Sequence, residues 1–505
     1  MKSKIIIFIF SAFLVSVGYP ENNIEINQPN RSFLKRPTGP YRVGFEDFHW
    51  INQNVCPDFN FNGKNQDDFS PNNIKYCHEV VTRIYYPTVS KSQSYSPYYP
   101  PLVKSSVQAI QELVPNTPKD ALELFKHIKS FSVEKAEIVK NKRFPVLLFI
   151  PGSGWPSEVY ENTITELVSH GYIVIGISSP FINLVELPNG RIIDPAKLPP
   201  KSPKEITALV PLQKNDISYV YDLIHNQQNL NVIFSAMDLK HIGILGHSFG
   251  GRVLADVSHE HPTWFQAGAT LDIGWDETNN SRNKFTFPFM HEICANRKLL
   301  SPILPVTFEL GNNNYLVVIA PNKQDHTYSY HANFSDYSTL QYIPAVDTFL
   351  TYVKEQSIKE GFDIKILSHE LTEQERNNIT KTTYVLIKIN GEWRGSIYVN
   401  KAKQTDFDVN IIESLRTTLD DLPNKSPEKL SKVEIEPIVK EIALLHEMLA
   451  APLPLGEGNG WEITDAINTY LVKFFDTYLK NKENLFNKCI PLHKDTYIKC
   501  GPDQA

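Results

Sequence analysis

One octapeptide holds the clearest chemistry in the chain: Ile244-Leu245-Gly246-His247-Ser248-Phe249-Gly250-Gly251. A serine hydroxyl is a weak nucleophile at neutral pH. It needs a base within hydrogen-bond reach, and that base needs an orienting carboxylate. The apolar run Ile242 to Leu245 leads into the glycines as a strand, and a helical pattern through Val253, Leu254 and Val257 follows. Strand, G-x-S-x-G, helix is the context of a nucleophile elbow, a turn so tight that its flanking glycines cannot carry a Cβ. Ser248 is therefore the expected nucleophile. The backbone N–H of Phe249, opening the helix, is the expected donor to the oxygen of an attacked carbonyl.

The partners should follow in the order serine, acid, histidine, each just after a strand. Asp272 ends the apolar run Gly268 to Leu271, one helix and one strand beyond Ser248. Its rivals Asp276 and Glu277 fall in a polar, Asn-rich stretch. Among 15 histidines, His331 follows the apolar run Tyr315 to Ala320 after a short polar loop, and spacing alone allows His326 as well. The second oxyanion donor in this arrangement comes from the loop after an early strand. Phe149-Ile150-Pro151-Gly152-Ser153-Gly154-Trp155 supplies it, with the Ser153 N–H as candidate. Gly152, Gly154, Trp155 and His247 are expected to line the substrate cleft. No C-x-x-C or H-E-x-x-H pattern occurs, so neither a metal nor a cofactor is expected.

The elements that must hold these residues show a clear rhythm from Phe144 onward. Pro145 to Ile150 and Tyr172 to Ile177 are continuous apolar strands, separated by a helical stretch from Glu158 to His170. Ile206 to Gln228 is helical; Ala267 to Ile273, Phe285 to Met290 and Tyr315 to Ala320 are further strands. Continuous apolar strands alternating with helices predict a mostly parallel central sheet with helices on both faces, an α/β fold. Phe45 to Trp50 and Val80 to Tyr86 are earlier strands. Residues 88 to 143 show no strand signal. They carry two amphipathic patterns, near 104–113 (Val107, Ile110, Leu113) and 117–129 (Leu122, Phe125, Ile128), beside Tyr95, Tyr98 and Tyr99. These read as surface helices or as a face that meets lipid.

Residues 352 to 455 differ in character. Tyr384 to Ile389, Asn390-Gly391 and Glu392 to Val399 read as a hairpin, and Ile435 to Met448 carries a helical stripe. They predict an inserted α+β subdomain near the C-terminus. The expected organisation is a signal peptide over 1–18 and a leader over 19–36. A core over 37–351 follows, then the insertion, a helix over 456–486 that returns to the core, and a tail over 487–505.

Composition bounds the partners. At 41% hydrophobic and 21% charged, the 505-residue chain can build a large core, and a net charge of −6 argues against nucleic acid. Lys2, Lys4 and the apolar run Ile5 to Val17 predict a cleaved signal and hence a secreted or periplasmic protein. Of five cysteines, Cys56 with Cys77 and Cys489 with Cys500 lie close enough to close surface loops, leaving Cys294 as a buried thiol.

Several of these motifs, in order over roughly 38–340, resemble the plasma-type platelet-activating factor acetylhydrolases, also called lipoprotein-associated phospholipase A2. They are Thr38-Gly39-Pro40-Tyr41-Arg42-Val43-Gly44, Ile84-Tyr85-Tyr86-Pro87, Phe144 through Gly154, and Leu167 through Val174. Ile242 to Gly251, Leu271-Asp272 and His331-Ala332-Asn333-Phe334-Ser335-Asp336 complete the set. The resemblance implies an α/β-hydrolase fold with Ser248, Asp272 and His331 as the triad, and favours His331 over His326. It implies the backbones of Ser153 and Phe249 as oxyanion donors. It also implies calcium-independent hydrolysis of short or oxidised sn-2 acyl esters of phospholipids at a membrane or micelle surface. Two positions depart from the family: Pro151 stands where histidine is usual, and Ser153 where leucine is frequent. Simpler dienelactone-hydrolase-like esterases share the elbow, so a general short-chain carboxylesterase or lipase is the alternative reading, with a catalytically silent lipid-binding protein ranked behind it.

Overall fold

A computed structural model describes residues 33–52, 78–90, 95–99, 103, 107, 119, 122–123, 127–180, 182–195, 209–227, 231–273, 285–294, 310–319, 331–340, 459–494 and 496–501, and the strands 363–367, 383–389 and 392–397. The first 32 residues, Cys56, Cys77, Leu113, Phe125, Asp276, Glu277, His326 and the stripe 435–448 lie outside these.

The apolar runs become the middle of one large sheet. Its strands are β1 (Arg42–Asn52), β2 (His78–Thr88), β3 (Ser132–Glu134), β4 (Phe144–Ile150) and β5 (Ile173–Ser178). After a small hairpin of β6 (Val185–Glu186) and β7 (Ile192–Ile193) come β8 (Met237–His247), β9 (Ala267–Leu271), β10 (Phe289–Cys294) and β11 (Asn314–Ile319). Strands β12 (Asp363–Leu367), β13 (Thr383–Ile389) and β14 (Glu392–Ile397) form a separate sheet, and β15 (Thr496–Cys500) closes the list. The large sheet runs β15-β11-β10-β9-β8-β4-β5-β2-β1-β3. From β5 to β11 all neighbours are parallel; β2, β1 and β15 join antiparallel. This is the α/β-hydrolase fold.

Two apolar clusters cover the two faces. On one, helix α1 (Glu161–Ser169) contributes Ile164, Leu167 and Val168. On the other, α2 (Val210–Asn226) and, beyond the short α3 (Val232–Ser235), α4 (Ser248–Glu260) contribute Ile217, Val220, Val253 and Leu254. After the short α5 (Tyr337–Leu340), the long α6 (Gly460–Lys480) joins α1 on the first face through Ile463, Ile467, Leu471 and Phe474. The helix α6 is started by Asn459, whose side chain accepts the N–H groups of Trp461 and Glu462, and stopped by Asn481 in the left-handed region (φ 53°). No helix among the described residues is long and apolar enough to cross a membrane.

Several expectations shift. The core starts earlier than residue 37: Leu34 is buried and the Lys35 N–H donates to Asn162 Oδ1. Residues 132–134 form an edge strand beside β1, although no strand was expected between 88 and 143. Tyr98, Tyr99 and Leu122 are buried in the core, which removes them from any lipid-facing surface. The strand expected over Phe285–Met290 instead spans Phe289–Cys294. Pro288 has no N–H for a ladder, so Phe285 and Phe287 pack on Phe289 ahead of the strand, which then runs through the polar pair His291-Glu292. The tail is not outside the fold, because Thr496–Cys500 pairs with β11 in register Val317↔Ile498. A disulfide joins Cys489 to Cys500, and Cys294 is a buried free thiol. In the second sheet β13 and β14 pair antiparallel, with Ile389 opposite Glu392, the geometry of a two-residue hairpin.

Candidate active site

Ser248 sits where β8 turns into α4, with φ +51°, a conformation that costs a non-glycine residue on the order of 1–3 kcal/mol. The turn is crowded enough to exclude side chains on both flanks. A Cβ on Gly246 would lie 2.6 Å from Leu254 Cδ2, and one on Gly250 would lie 2.4 Å from the carbonyl oxygens of Ile150 and Pro151. Those contacts also press α4 against the end of β4, the strand that leads into the Gly152–Trp155 loop. A Cβ on Gly152 would lie 3.3 Å from Ser248 Cβ, so loop and elbow are in contact.

Asp272 follows the last residue of β9, also with positive φ (+43°), and is wholly buried. Strand β10 fixes it from the side: its N–H donates to the Glu292 carbonyl at 2.7 Å, and its Oδ1 accepts the Cys294 N–H at 3.1 Å. Oδ2 is left for His331 Nδ1, at 2.5 Å. With Nδ1–H donating a hydrogen bond to the carboxylate, His331 Nε2 can accept the Ser248 hydroxyl, 2.8 Å away. His331 itself opens the 3-10 turn His331–Phe334 and is partly exposed, whereas Asp272 is shielded from water. The structure thus brings Ser248, His331 and Asp272 into one hydrogen-bonded series at the C-terminal edge of the sheet.

The loop after β4 was expected to present one free amide, and its bonding pattern leaves one. Gly152 N–H donates to the Tyr160 hydroxyl (3.1 Å), Gly154 N–H to the Ile182 carbonyl (2.7 Å), and Trp155 N–H to the Gly152 carbonyl (3.2 Å). Ser153 N–H has no partner among the described residues, and Ser153 is exposed. Phe249 N–H lies in the first turn of α4, where no intrahelical acceptor is available. Asn183 holds the loop in shape: its amide donates to the carbonyls of Gly152 (2.8 Å) and Trp155 (2.9 Å), while its Oδ1 accepts the Ser179 N–H. Gly154 has φ +83° and open space where a side chain would be.

Two of the residues expected to line the cleft are tied into the packing around it. His247 is wholly buried and contacts Tyr160 and the His331 backbone, because the residue before the nucleophile still belongs to the strand and points inward. Trp155 stacks on His247 (centroids 5.4 Å apart, 17° between planes) and meets Tyr337 edge-on at 5.2 Å. Behind them, Asp336 of the His331-to-Asp336 motif is wholly buried. It accepts the N–H groups of Glu161 and Asn162 at 2.8 Å each and the Tyr98 hydroxyl at 3.0 Å. Those two amides open α1, where a carboxylate is favoured. Burial, with Glu161 nearby, pushes the Asp336 carboxyl up to about 8, against the opposing pull of its amide donors. The polar roles of Tyr160, Asn183 and Asp336 were not read from sequence. Only Asp336 had a signal, its place in the His331 motif.

Nucleophile elbow, buried acid and histidine at the edge of a mostly parallel sheet define the class: an α/β-hydrolase-fold protein with a Ser-His-Asp site. The chain is similar, at 29% identity over 143 residues, to a probable 1-alkyl-2-acetylglycerophosphocholine esterase of Arthroderma benhamiae. That stretch is 28% of this chain and 34% of the fungal protein, so the chain spans about a third of the relative's length. No family model matches the chain. Among solved structures, a ferulic acid esterase from Streptomyces cinnamoneus is similar with TM-score 0.47 at 15% identity, over 92% of this chain and 98% of that one.

Proposed function

We propose that this protein is a serine esterase that removes short or oxidised sn-2 acyl chains from phospholipids. The observation that carries the esterase reading is the Asp272–His331–Ser248 hydrogen-bonded series, with 2.5 and 2.8 Å steps. Ser248 Oγ attacks the ester carbonyl carbon and passes its proton to His331 Nε2, while Asp272 stabilises the resulting imidazolium. The carbonyl oxygen, now anionic, is met by the Ser153 and Phe249 N–H groups, each such donor being worth on the order of 10²–10³ in rate. His331 returns the proton to the leaving alkoxide. Water, deprotonated by the same imidazole, then releases the acid and restores Ser248. The phospholipid substrate is supported by the motif resemblance and by the similarity to the fungal esterase. A secreted or periplasmic location is supported by the N-terminal sequence and by the Cys489–Cys500 disulfide.

The test is a hydrolysis panel: sn-2 acetyl, oxidised and long-chain phospholipids beside p-nitrophenyl esters. The acetyl and oxidised phospholipids should give the highest kcat/KM. Preference for p-nitrophenyl esters over every phospholipid would instead favour the general carboxylesterase. Ser248→Ala should abolish turnover of all of them, and Asp272→Asn should lower kcat on the order of 10⁴-fold by leaving the imidazole in the wrong tautomer. Turnover that survives Ser248→Ala would refute the esterase reading.

A further inference from the structure

Tyr160 and His247, both wholly buried, form a polar link that the reaction above does not use. Tyr160 ends the 3-10 turn that precedes α1. Its oxygen accepts the Gly152 N–H at 3.1 Å and lies 2.8 Å from His247 Nδ1. The other nitrogen of that ring, Nε2, lies 3.2 Å from the carbonyl oxygen of His331. Both ends of this link are backbone groups whose roles cannot reverse: an amide only donates and a carbonyl only accepts. The carbonyl end therefore puts a proton on Nε2, and the hydroxyl, whose oxygen already accepts the Gly152 N–H, is placed to donate to Nδ1. Gly152 N–H donates to Tyr160, the tyrosine hydroxyl donates to Nδ1, and Nε2–H donates to His331. In this wiring His247 is the neutral, Nε2-protonated tautomer.

We propose that Tyr160 and His247 are positioning residues for the ester hydrolysis inferred above, on which this role rests. The link joins the three segments that each bring one part of the chemistry. It ties the loop carrying Ser153, the elbow carrying Ser248 and the turn carrying His331. The rings around it leave little freedom: His247 lies nearly parallel to Trp155 and to Phe334, with centroids at 5.4 and 6.2 Å. Its ring also lies 4.4 Å from that of His331. A second proton on His247 Nδ1 would point at the tyrosine oxygen and turn the hydroxyl's own proton away from the link. The wiring so keeps a neutral ring next to the imidazole that becomes cationic in the transition state.

The experiment compares Tyr160→Phe, His247→Leu and His247→Gln with wild type and with Ser248→Ala, on a soluble p-nitrophenyl ester. Tyr160→Phe and His247→Leu should lower kcat roughly 10–100-fold, the size expected when reacting groups shift by about an ångström, with KM changed less than about threefold. His247→Gln, which can restore a donor near the Nε2 position, should recover most of the loss seen in His247→Leu. In wild type with ¹⁵N-labelled histidine, the His247 ring should show a proton on Nε2 and none on Nδ1. An Nδ1-protonated or doubly protonated ring overturns the wiring even if the variants fail to fold. Unchanged kcat in Tyr160→Phe and His247→Leu, alongside an inactive Ser248→Ala, overturns the positioning role alone. An active Ser248→Ala overturns the esterase reading and this role with it.

Discussion

Two buried carboxyls flank the site and are treated in opposite ways. Asp336, beside the start of α1, accepts two amide N–H groups and a tyrosine hydroxyl. Glu292, in the middle of β10, is equally buried, yet neither side-chain oxygen has a hydrogen-bond partner among the described residues. Burial raises both: Asp336 to about 8, Glu292 well above the usual carboxylate range. The backbone of Glu292 serves the site, since its carbonyl accepts the Asp272 N–H, but its side chain does not. Donors are concentrated where they join segments: Asp336 ties the His331 turn to α1, a link reinforced by its own N–H donating to the Val159 carbonyl at 2.7 Å. A lone protonated carboxyl inside β10 links nothing. It is tolerated because, once neutral, it costs far less than a buried charge.

Substituting the linked carboxyl should have the largest effect. Asp336→Ala strands three buried donors, at about 1–3 kcal/mol each, so urea denaturation should show a loss of roughly 3–5 kcal/mol. A loss below about 1 kcal/mol would erase the contrast between the two acids. Next comes their pH dependence. A native group with a raised value keeps a proton that the unfolded chain, titrating near 4, has lost. Its contribution to stability is present at acidic pH and falls as pH rises toward the native value. Between pH 5 and 7, Asp336→Asn should remove up to about 1.4 kcal/mol per pH unit of that decline, and Glu292→Gln should flatten it in the same direction. If only Glu292→Gln flattens it, the donors around Asp336 hold that group charged and the two acids differ in charge as well as in partners. The smallest effect belongs to Glu292→Met, which replaces an unpartnered acid by an apolar chain of similar length. Stability at neutral pH should change by less than about 1 kcal/mol, or rise slightly. A loss of 2 kcal/mol or more would mean that the carboxyl is bonded after all.

The same contrast explains what could be read from residue order. Continuous apolar runs exposed the central strands, and Ser248 between its glycines could be recognised because the elbow is a local motif. Asp272 was legible because an apolar strand ends on it. Strand β10 was misplaced because its interior carries His291 and Glu292, and a buried polar pair breaks the pattern that signals a buried strand. β15 was missed because Thr496–Cys500 is short and alternates, as an exposed loop can. The Gly152–Tyr160–His247–His331 link joins positions far apart in sequence, and a tyrosine on an apolar helix face looks the same with or without a partner for its hydroxyl. Choosing His331 over His326 came from motif resemblance, since both follow the same strand.

The placement of β15 bears on how the protein is made rather than on how it reacts. Strand β11 has β10 on one side and depends on β15 for the other. A ribosome delivers β11 long before Thr496–Cys500. Until those residues emerge, the nascent sheet ends in a row of open N–H and C=O groups, the kind of edge that pairs with a neighbouring chain. The Cys489–Cys500 bond ties the late-arriving strand to the segment after α6. An oxidising environment thus favours a capped sheet, and a reducing one leaves the edge guarded by five residues of pairing alone.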